Sequence, residues 1–329
     1  MSSVVNETEK IFGLKGEEAF ETAAIEVFRF QSKRNPVYKE YLRLLKISPE
    51  RVESTRQIPF LPIELFKTHE VFSSNVRPDL VFTSSGTTGT DTSRHYVEDP
   101  ALYIRSFQEG FERFYGQIEG LRILALLPSY LERKGSSLIY MVDDLITKSK
   151  HPKSGFFLNE FAELSEILAS KEERTLLIGV SFALLDFVES SPLQLTNTIV
   201  METGGMKGRR KELTRNELHE ILKKGFGVDD IHSEYGMTEL LSQAYSKGNG
   251  IFKCPPWMRI KIRDTRDPLS ILGPDQTGGI NVIDLANIHS CSFIATSDIG
   301  TVKSDNSFEV IGRLDYSDLR GCNLLLRAD

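Results

Sequence analysis

Apolar residues in the first 80 positions recur every three to four residues, the spacing of one face of a helix. In the first of two such runs they are Phe20, Ala23, Ala24, Val27 and Phe28. Asn35-Pro36 separates this run from a second one through Tyr41, Leu42 and Leu45. A third run beyond position 100 carries an aromatic stripe: Ile104, Phe107, Phe111 and Phe114. The pattern predicts amphipathic helices whose aromatic faces belong to the core.

From residue 121 onward, short apolar runs alternate with amphipathic segments. Strands are predicted at 121–127, 175–180, 197–202 and 230–234, and helices at 136–148, 182–189 and 211–224. This alternation is typical of βαβ units and a largely parallel sheet. Polar motifs follow the strands at 128–130, 203–205 and 235–239, so they are expected to share a cleft at the carboxyl ends.

The helical period disappears after about residue 250. Short strands between Pro, Gly and Asp turns are predicted at 260–263, 279–283 and 308–311. The chain is therefore expected to divide into residues 1–250, a helical segment plus an α/β core, and residues 251–329, a small β subdomain.

Charge and apolar content narrow the function classes. The 329 residues carry a net charge of −6, which disfavours a nucleic-acid or anionic-membrane partner. Neither a signal peptide nor a stretch long enough for membrane insertion is recognisable. Cys254, Cys291 and Cys322 form no C-x-x-C pair, which argues against a zinc site or disulfide framework and fits the reducing cytoplasm.

A loop of small, mostly hydroxylated residues follows the apolar run Leu80-Val81-Phe82. Its members are Thr83, Ser84, Ser85, Gly86, Thr87, Thr88 and Gly89. Glycines and hydroxyls leave backbone amides open to an anion, so the loop is predicted to bind phosphates. The alternative is a flexible linker, against which its position after a strand argues. No Walker sequence or G-x-G-x-x-G occurs, so GTPase, kinase and Rossmann functions lose their main support.

Three segments, in order, resemble the adenylate-forming superfamily. They are the loop at 83–89, Tyr235-Gly236-Met237-Thr238-Glu239 preceded by a Gly204-Gly205 turn, and Thr296-Ser297-Asp298-Ile299-Gly300 followed by Gly312-Arg313-Leu314-Asp315. Further features are similar to the acyl-protein synthetase (LuxE) family over nearly the whole chain. These are Pro59-Phe60-Leu61-Pro62 before Phe66-Lys67, Ser93-Arg94-His95-Tyr96, Pro128-Ser129-Tyr130-Leu131-Glu132-Arg133 and Arg320-Gly321-Cys322.

The resemblance implies the adenylate-forming large-domain fold, a mostly parallel sheet flanked by helices with a small C-terminal β subdomain. It also implies a two-step reaction, in which ATP and a carboxylic acid, by family a fatty acid, form acyl-AMP and pyrophosphate before a thiol takes the acyl group. We expect the mobile C-terminal lid domain of larger members to be absent.

The resemblance also implies roles for individual residues at the nucleotide. Tyr235 covers the adenine, Gly204 and Gly205 allow close approach of the backbone, and Gly236 belongs to the same nucleotide-binding segment. Thr238 reaches the α-phosphate and Glu239 holds Mg²⁺. Asp298 accepts from the ribose, and Arg313 donates to ribose or phosphate. Because the loop lacks the usual Pro-Lys, the expected cations near pyrophosphate are Arg94, His95, Lys207 and Arg209; for Arg94 and His95 a solvated loop position is the alternative.

Cys322 is the predicted acyl acceptor, since thiolates are nucleophilic near neutral pH and Arg320 and Arg327 flank it. The alternative is a small buried hydrophobe, the role assigned to Cys254 and Cys291. A reductase, a carrier protein or CoA is the expected final acceptor. Two rival functions stay open: a ligase of the phenylacetate-CoA type, and a non-catalytic nucleotide- or acyl-binding subunit. A hydrolase is disfavoured because no G-x-S-x-G occurs.

Overall fold

The computed structural model of the protein describes residues 9–74, 77–84, 92–127, 135–170, 172–204 and 213–314. Within these ranges the α-helices are α1 (Glu17–Arg34), α2 (Pro36–Leu44), α3 (Leu65–Thr68), α4 (Pro100–Tyr115), α5 (Ser137–Ser149), α6 (Phe161–Leu168), α7 (Ser181–Ser190) and α8 (Arg215–Phe226). Short 3₁₀ turns occur at Pro49–Arg51, Thr55–Gln57 and Leu285–Asn287. In the described ranges, every helix is too short or too polar to traverse a lipid bilayer.

The strands are β1 (Leu61–Pro62), β2 (Leu80–Thr83), β3 (Arg94–Val97), β4 (Arg122–Leu126), β5 (Gly155–Phe157), β6 (Thr175–Val180), β7 (Thr198–Thr203), β8 (His232–Tyr235), β9 (Ala244–Ser246), β10 (Ile251–Lys253), β11 (Met258–Arg263), β12 (Thr277–Asp284), β13 (Phe293–Val302) and β14 (Phe308–Arg313). β2 and β3 form a separate antiparallel hairpin. The others join one mixed sheet in the order β11-β12-β13-β14-β10-β9-β8-β7-β6-β4-β5, with β1 beside β13.

Five neighbouring strands of this sheet, β5, β4, β6, β7 and β8, are parallel to one another, as the alternating pattern predicts. Strands β4 and β6 are buried at every position, which explains why, after their first residues Arg122 and Thr175, they carry no polar side chains and do not alternate. Helices α5, α7 and α8 connect or flank these strands. The predicted α/β fold with a large, helix-flanked sheet is confirmed.

Helix ends follow the local sequence. Asp99 caps α4 by accepting from the amides of Ala101 and Leu102, and Pro100 occupies the first turn. Within the stripe on α4, Phe107 and Phe111 are buried in the core, and Ile104 and Phe114 are half-buried and pack against it. At α5 the hydroxyl of Ser136 accepts from the amide of Ile139 and caps the helix.

The predicted C-terminal strands form, but they continue the large sheet. Beyond β8 the sheet is antiparallel, and β10 hydrogen-bonds to both β9 and β14. The ten-residue strand β13 pairs with β12, β14 and β1, which brings residues near position 61 beside those near position 295. Backbone hydrogen bonds therefore cross residue 250, and the division into 1–250 and 251–329 stays a prediction.

Candidate active site

The candidate phosphate loop connects the two strands of the β2–β3 hairpin. Thr83 pairs with Arg94, and beyond them the amide of Ser84 donates to the Ser93 carbonyl at 3.1 Å. The Ser93 amide returns a hydrogen bond to Ser84 Oγ at 2.9 Å. The base of the loop is thereby closed by hydrogen bonds. Its remaining predicted members lie outside the described residues: Ser85, Gly86, Thr87, Thr88 and Gly89.

Two other predicted segments meet at the carboxyl edge of the parallel strands. β7 ends at Thr203 and β8 at Tyr235, with Thr203 paired to Glu234. Gly204 follows β7 with φ 67°, a left-handed conformation that favours glycine. The Ser181 hydroxyl donates a hydrogen bond to the Gly204 carbonyl at 2.8 Å. Gly205 lies outside the described residues.

Gly236 has a local structural reason to be glycine. A Cβ atom there would lie 2.3 Å from Oε1 of Glu234. Glu234 is half-buried; its carboxyl accepts from Thr203 Oγ1 at 2.5 Å, and desolvation raises its pKa to about 7. Sequence reasoning missed Glu234, since one acidic residue before the Tyr-Gly segment carries no distinguishing pattern.

Tyr235, Asp298 and Arg313 form a hydrogen-bonded chain. The Tyr235 hydroxyl donates to Oδ2 of Asp298 at 2.9 Å, and Arg313 Nε donates to Oδ1 at 3.1 Å. The Tyr235 ring packs edge-on against Phe252 and Phe308. Burial and the neighbouring Asp298 charge raise the Tyr235 pKa far above its usual range, so the hydroxyl stays a donor. The Arg313 side chain is 78% exposed, which leaves most of its guanidinium open to a ligand.

Glu239 is a buried carboxylate beside the hairpin. Its exposed fraction is 5%, and burial raises its pKa. The Ser93 side chain hydrogen-bonds to the Glu239 carboxylate. This bond and the positive charges of Arg313 and Lys67 lower the Glu239 pKa and so oppose the effect of burial. Within the described ranges, no three His, Cys, Asp or Glu side chains cluster as metal ligands would. A cation here would depend on Glu239 and on ligand oxygens.

His95 lies inside the protein, where both ring nitrogens face protein acceptors. Nδ1 is 2.8 Å from the Thr238 carbonyl oxygen, and Nε2 is 3.0 Å from Oδ1 of Asn287. The ring also packs edge-on against Phe66. Burial lowers the pKa of His95 to about 4, although both contacts favour the proton. The side chain is thus neutral near pH 7 and fully buried; its predicted contact with phosphate stays a prediction.

The lowered pKa of His95 predicts a pH-dependent stability. The unfolded chain takes up the proton near 6.5 and the folded chain only near 4, so stability falls as pH drops through this window. Between about pH 7 and about pH 5 this amounts to about 2 kcal/mol. Glu234 and Asp284, with pKa values raised to about 7 and about 6, act with the opposite sign.

The His95 contribution is isolated by comparing urea unfolding of the wild type and His95→Gln at both pH values. The wild type is expected to lose about 2 kcal/mol more than the variant on acidification. Equal losses in the two proteins would show that His95 is protonated in the folded state.

The two described cysteines are poor nucleophiles. Burial raises the pKa of both Cys254 and Cys291 to about 12, as expected for structural thiols. The other predicted cationic or thiol residues, Lys207, Arg209, Arg320, Cys322 and Arg327, lie outside the described residues.

Comparison with known proteins gives structural matches only. No protein-family model matches the sequence, and no curated protein does. Apo MatB from Rhodopseudomonas palustris matches with a TM-score of 0.53 and 15% identity over 71% of this chain and 47% of that chain. ATP-bound MatB from the same organism gives a TM-score of 0.55 and 16% identity over 74% and 50%. This chain therefore spans about half the length of the MatB structures.

A second group of matches covers more of the chain. 2-Hydroxyisobutyryl-CoA ligase in the postadenylation state, in complex with R3-HIB-AMP, gives a TM-score of 0.66 and 11% identity over 91% of this chain and 68% of that chain. At such low identity the likeness concerns the fold alone. The chain has the fold of adenylate-forming acyl-CoA ligases.

Proposed function

We propose that this protein activates a carboxylic acid with ATP and passes the acyl group to a thiol. The observation that carries the proposal is the hydrogen bonding of Tyr235 and Arg313 to the same carboxylate, Asp298. The three residues come from separate segments of the sequence, each predicted to contact the same nucleotide. Their convergence at the strand edge that also carries Gly204 and Glu239 supports one nucleotide site.

In the first step, an oxygen of the acid attacks the α-phosphorus of ATP, and the bond to the bridging oxygen of pyrophosphate breaks. The products are acyl-AMP and pyrophosphate. The phosphate loop donates hydrogen bonds to the leaving pyrophosphate, whose charge grows in the transition state. Thr238 donates to the α-phosphate, and Arg313 adds positive charge from its exposed guanidinium.

Glu239 fits a magnesium ion held mainly by phosphate oxygens, because it supplies one hard carboxylate ligand. Magnesium, when bound, neutralises phosphate charge. The Ser93 bond to Glu239 orients the carboxylate.

In the second step, the Cys322 thiol first loses its proton to solvent; the thiolate then attacks the acyl carbonyl carbon, and the carbon–oxygen bond to AMP breaks so that AMP leaves with the electron pair. We propose a fatty acid as substrate, by resemblance to the LuxE family, and a cytoplasmic location. A reductase or carrier protein is the proposed final acceptor.

A second candidate is an acid–CoA ligase. It is favoured by the match to 2-hydroxyisobutyryl-CoA ligase in complex with 2-HIB-AMP and CoA, which covers 91% of this chain. In that case CoA replaces Cys322 as the acceptor.

The deciding experiment is ATP–pyrophosphate exchange with a panel of carboxylic acids, followed by intact-protein mass spectrometry with and without CoA. Exchange plus a hydroxylamine-labile protein adduct supports the acyl-protein synthetase. Exchange plus acyl-CoA without an adduct supports the ligase. No exchange with any acid would favour a non-catalytic binding subunit.

Asp298→Ala is expected to raise the KM for ATP about 10- to 100-fold, because hydrogen bonds to a charged group contribute about 1.5–3 kcal/mol. The change removes the predicted ribose acceptor and releases both Tyr235 and Arg313. Tyr235→Phe, which loses one bond but keeps the ring, should have a smaller effect. Pyrophosphate-exchange kinetics at varied ATP give both values. An unchanged KM in Asp298→Ala would remove Asp298 from the nucleotide site.

A further inference from the structure

The main-chain carbonyls of Thr238 and Glu239 are each held by a buried side chain. His95 Nδ1 is 2.8 Å from the Thr238 oxygen. Asn287 Nδ2 donates to the Glu239 oxygen at 2.8 Å and to the Cys291 oxygen at 2.9 Å. Because the Asn287 amide nitrogen is committed to two carbonyls, its oxygen is the atom that faces His95, at 3.0 Å. Neutral His95 therefore donates from Nδ1 to the Thr238 oxygen and has no second N–H for the Asn287 oxygen, so the two carbonyls are fixed by separate donors, His95 and Asn287.

Asn287 is itself anchored from the opposite end of the chain. It ends the 3₁₀ turn Leu285–Asn287. Gln31, on helix α1, donates to the carbonyls of Asn287 at 3.0 Å and Ile288 at 2.8 Å. Gln31 also accepts from the Ser292 amide at 2.9 Å. The Asn287 side chain therefore extends from a turn with a fixed backbone.

The same contacts fix the hairpin that carries the candidate phosphate loop. Ser93 and His95 are two residues apart and approach the same segment, Ser93 at the Glu239 side chain and His95 at the Thr238 carbonyl. Ser93 also closes the base of the loop with Ser84. Movement of β3 would therefore displace Ser84 and Ser93, the described base of the loop, relative to Thr238 and Glu239.

We propose that Asn287 and His95 are positioning residues that hold Thr238 and Glu239 in register with the phosphate loop. This role rests on the proposed adenylation. Both side chains are buried, with exposed fractions of 1% and 0%, so they act through the residues they hold rather than on substrate. Sequence patterns gave Asn287 no role. Displacement of a reacting group by about 1 Å can cost about 100-fold in rate, which sets the size of the expected effect.

The test compares Asn287→Ala with Asn35→Ala. Asn35 is a buried asparagine that donates to the Ser290 carbonyl, in the same segment as Asn287, at 3.0 Å, without contacting Thr238 or Glu239 in the structure. Both variants lose stability, but only Asn287→Ala should lower kcat for pyrophosphate exchange, by about 10- to 100-fold, with the KM for ATP within about twofold. His95→Gln, which keeps a donor for the Thr238 carbonyl, should retain more kcat than His95→Ala.

Hydrogen–deuterium exchange of the peptide spanning residues 236–243 tests the contacts of His95 and Asn287 with this segment independently of enzyme activity. Asn287→Ala and His95→Ala should speed its exchange, and Asn35→Ala should not. If deuterium exchange of this peptide is unchanged in both Asn287→Ala and His95→Ala, the two side chains do not stabilise the segment. The inference then fails, whatever the activity.

The remaining outcomes separate the two proposals. Faster deuterium exchange in Asn287→Ala with an unchanged kcat would overturn the positioning role while adenylation stands. A wild type inactive with every acid would overturn the proposed function, and the positioning role with it, even if the deuterium result shows that the contacts hold the segment.

Discussion

Replacement of Glu239 by glutamine is expected to lower the rate of ATP–pyrophosphate exchange by at least about 100-fold, which corresponds to about 2.7 kcal/mol in the transition state. The substitution keeps the size of the side chain and its contact with Ser93. It removes the negative charge that is proposed to bind Mg²⁺, and an amide oxygen is a weaker ligand for a hard cation. The expected loss is therefore chemical rather than structural.

The matched control is Glu173→Gln, the same change at a residue that pairs with Arg122 at the amino ends of the parallel strands. This variant should keep its pyrophosphate-exchange rate within about twofold of the wild type. Glu173 lies at the amino ends of the parallel strands, whereas Gly204 and Glu239 lie at their carboxyl ends. Raising the Mg²⁺ concentration should partly restore Glu239→Gln. If Glu239→Gln exchanges at the wild-type rate at low Mg²⁺, Glu239 is not the metal ligand.

Cys322→Ser is expected to abolish the acyl–protein adduct while pyrophosphate exchange continues. Exchange requires only the first step, whereas the adduct requires a thiol. A serine hydroxyl is far less ionised at neutral pH, so an adduct resistant to hydroxylamine is not expected to accumulate. Intact-protein mass spectrometry after incubation with ATP, Mg²⁺ and acid measures the adduct directly.

Cys254→Ser and Cys291→Ser are the controls. Both thiols have pKa values raised to about 12 by burial, and Cys291 Sγ donates to the Phe293 carbonyl at 3.4 Å. They should retain a full adduct. An adduct that survives in Cys322→Ser but disappears in Cys254→Ser would move the acceptor role to Cys254.

The parallel half of the fold is predictable because its signal is local. Strands β4 and β6 are mostly apolar runs of five or six residues, and helices α5 and α8 begin at the capping residues Ser136 and Thr214. The antiparallel half is harder to predict, because β13 alternates buried and half-buried residues, and its three neighbours are set by tertiary pairing. The continuity of the sheet across residue 250 has no local signal.

The candidate site divides in the same way. Tyr235, Asp298 and Arg313 are predicted site residues because their segments resemble motifs of the adenylate-forming superfamily, and the structure joins them by hydrogen bonds. Ser93 lies in a segment similar to the LuxE family but receives no role from that similarity, and Glu234 and Asn287 lie outside the motifs. Their contacts reach distant parts of the chain, up to 256 residues away for Asn287 and Gln31. Only the folded chain brings such pairs together.

The anchoring of Asn287 by Gln31 has a consequence for biosynthesis. The two residues are 256 positions apart, and β1 pairs with β13 over a similar separation. During translation, helix α1 and strand β1 leave the ribosome long before their partners are synthesised. Gln31 and β1 therefore stay without these hydrogen bonds until Asn287 and β13 have emerged. Contacts of this separation slow folding. The nascent chain is therefore expected to depend on chaperones until residues near 313 have emerged, and ATP binding should appear abruptly at that length in ribosome-stalled chains, because Arg313 completes the candidate site.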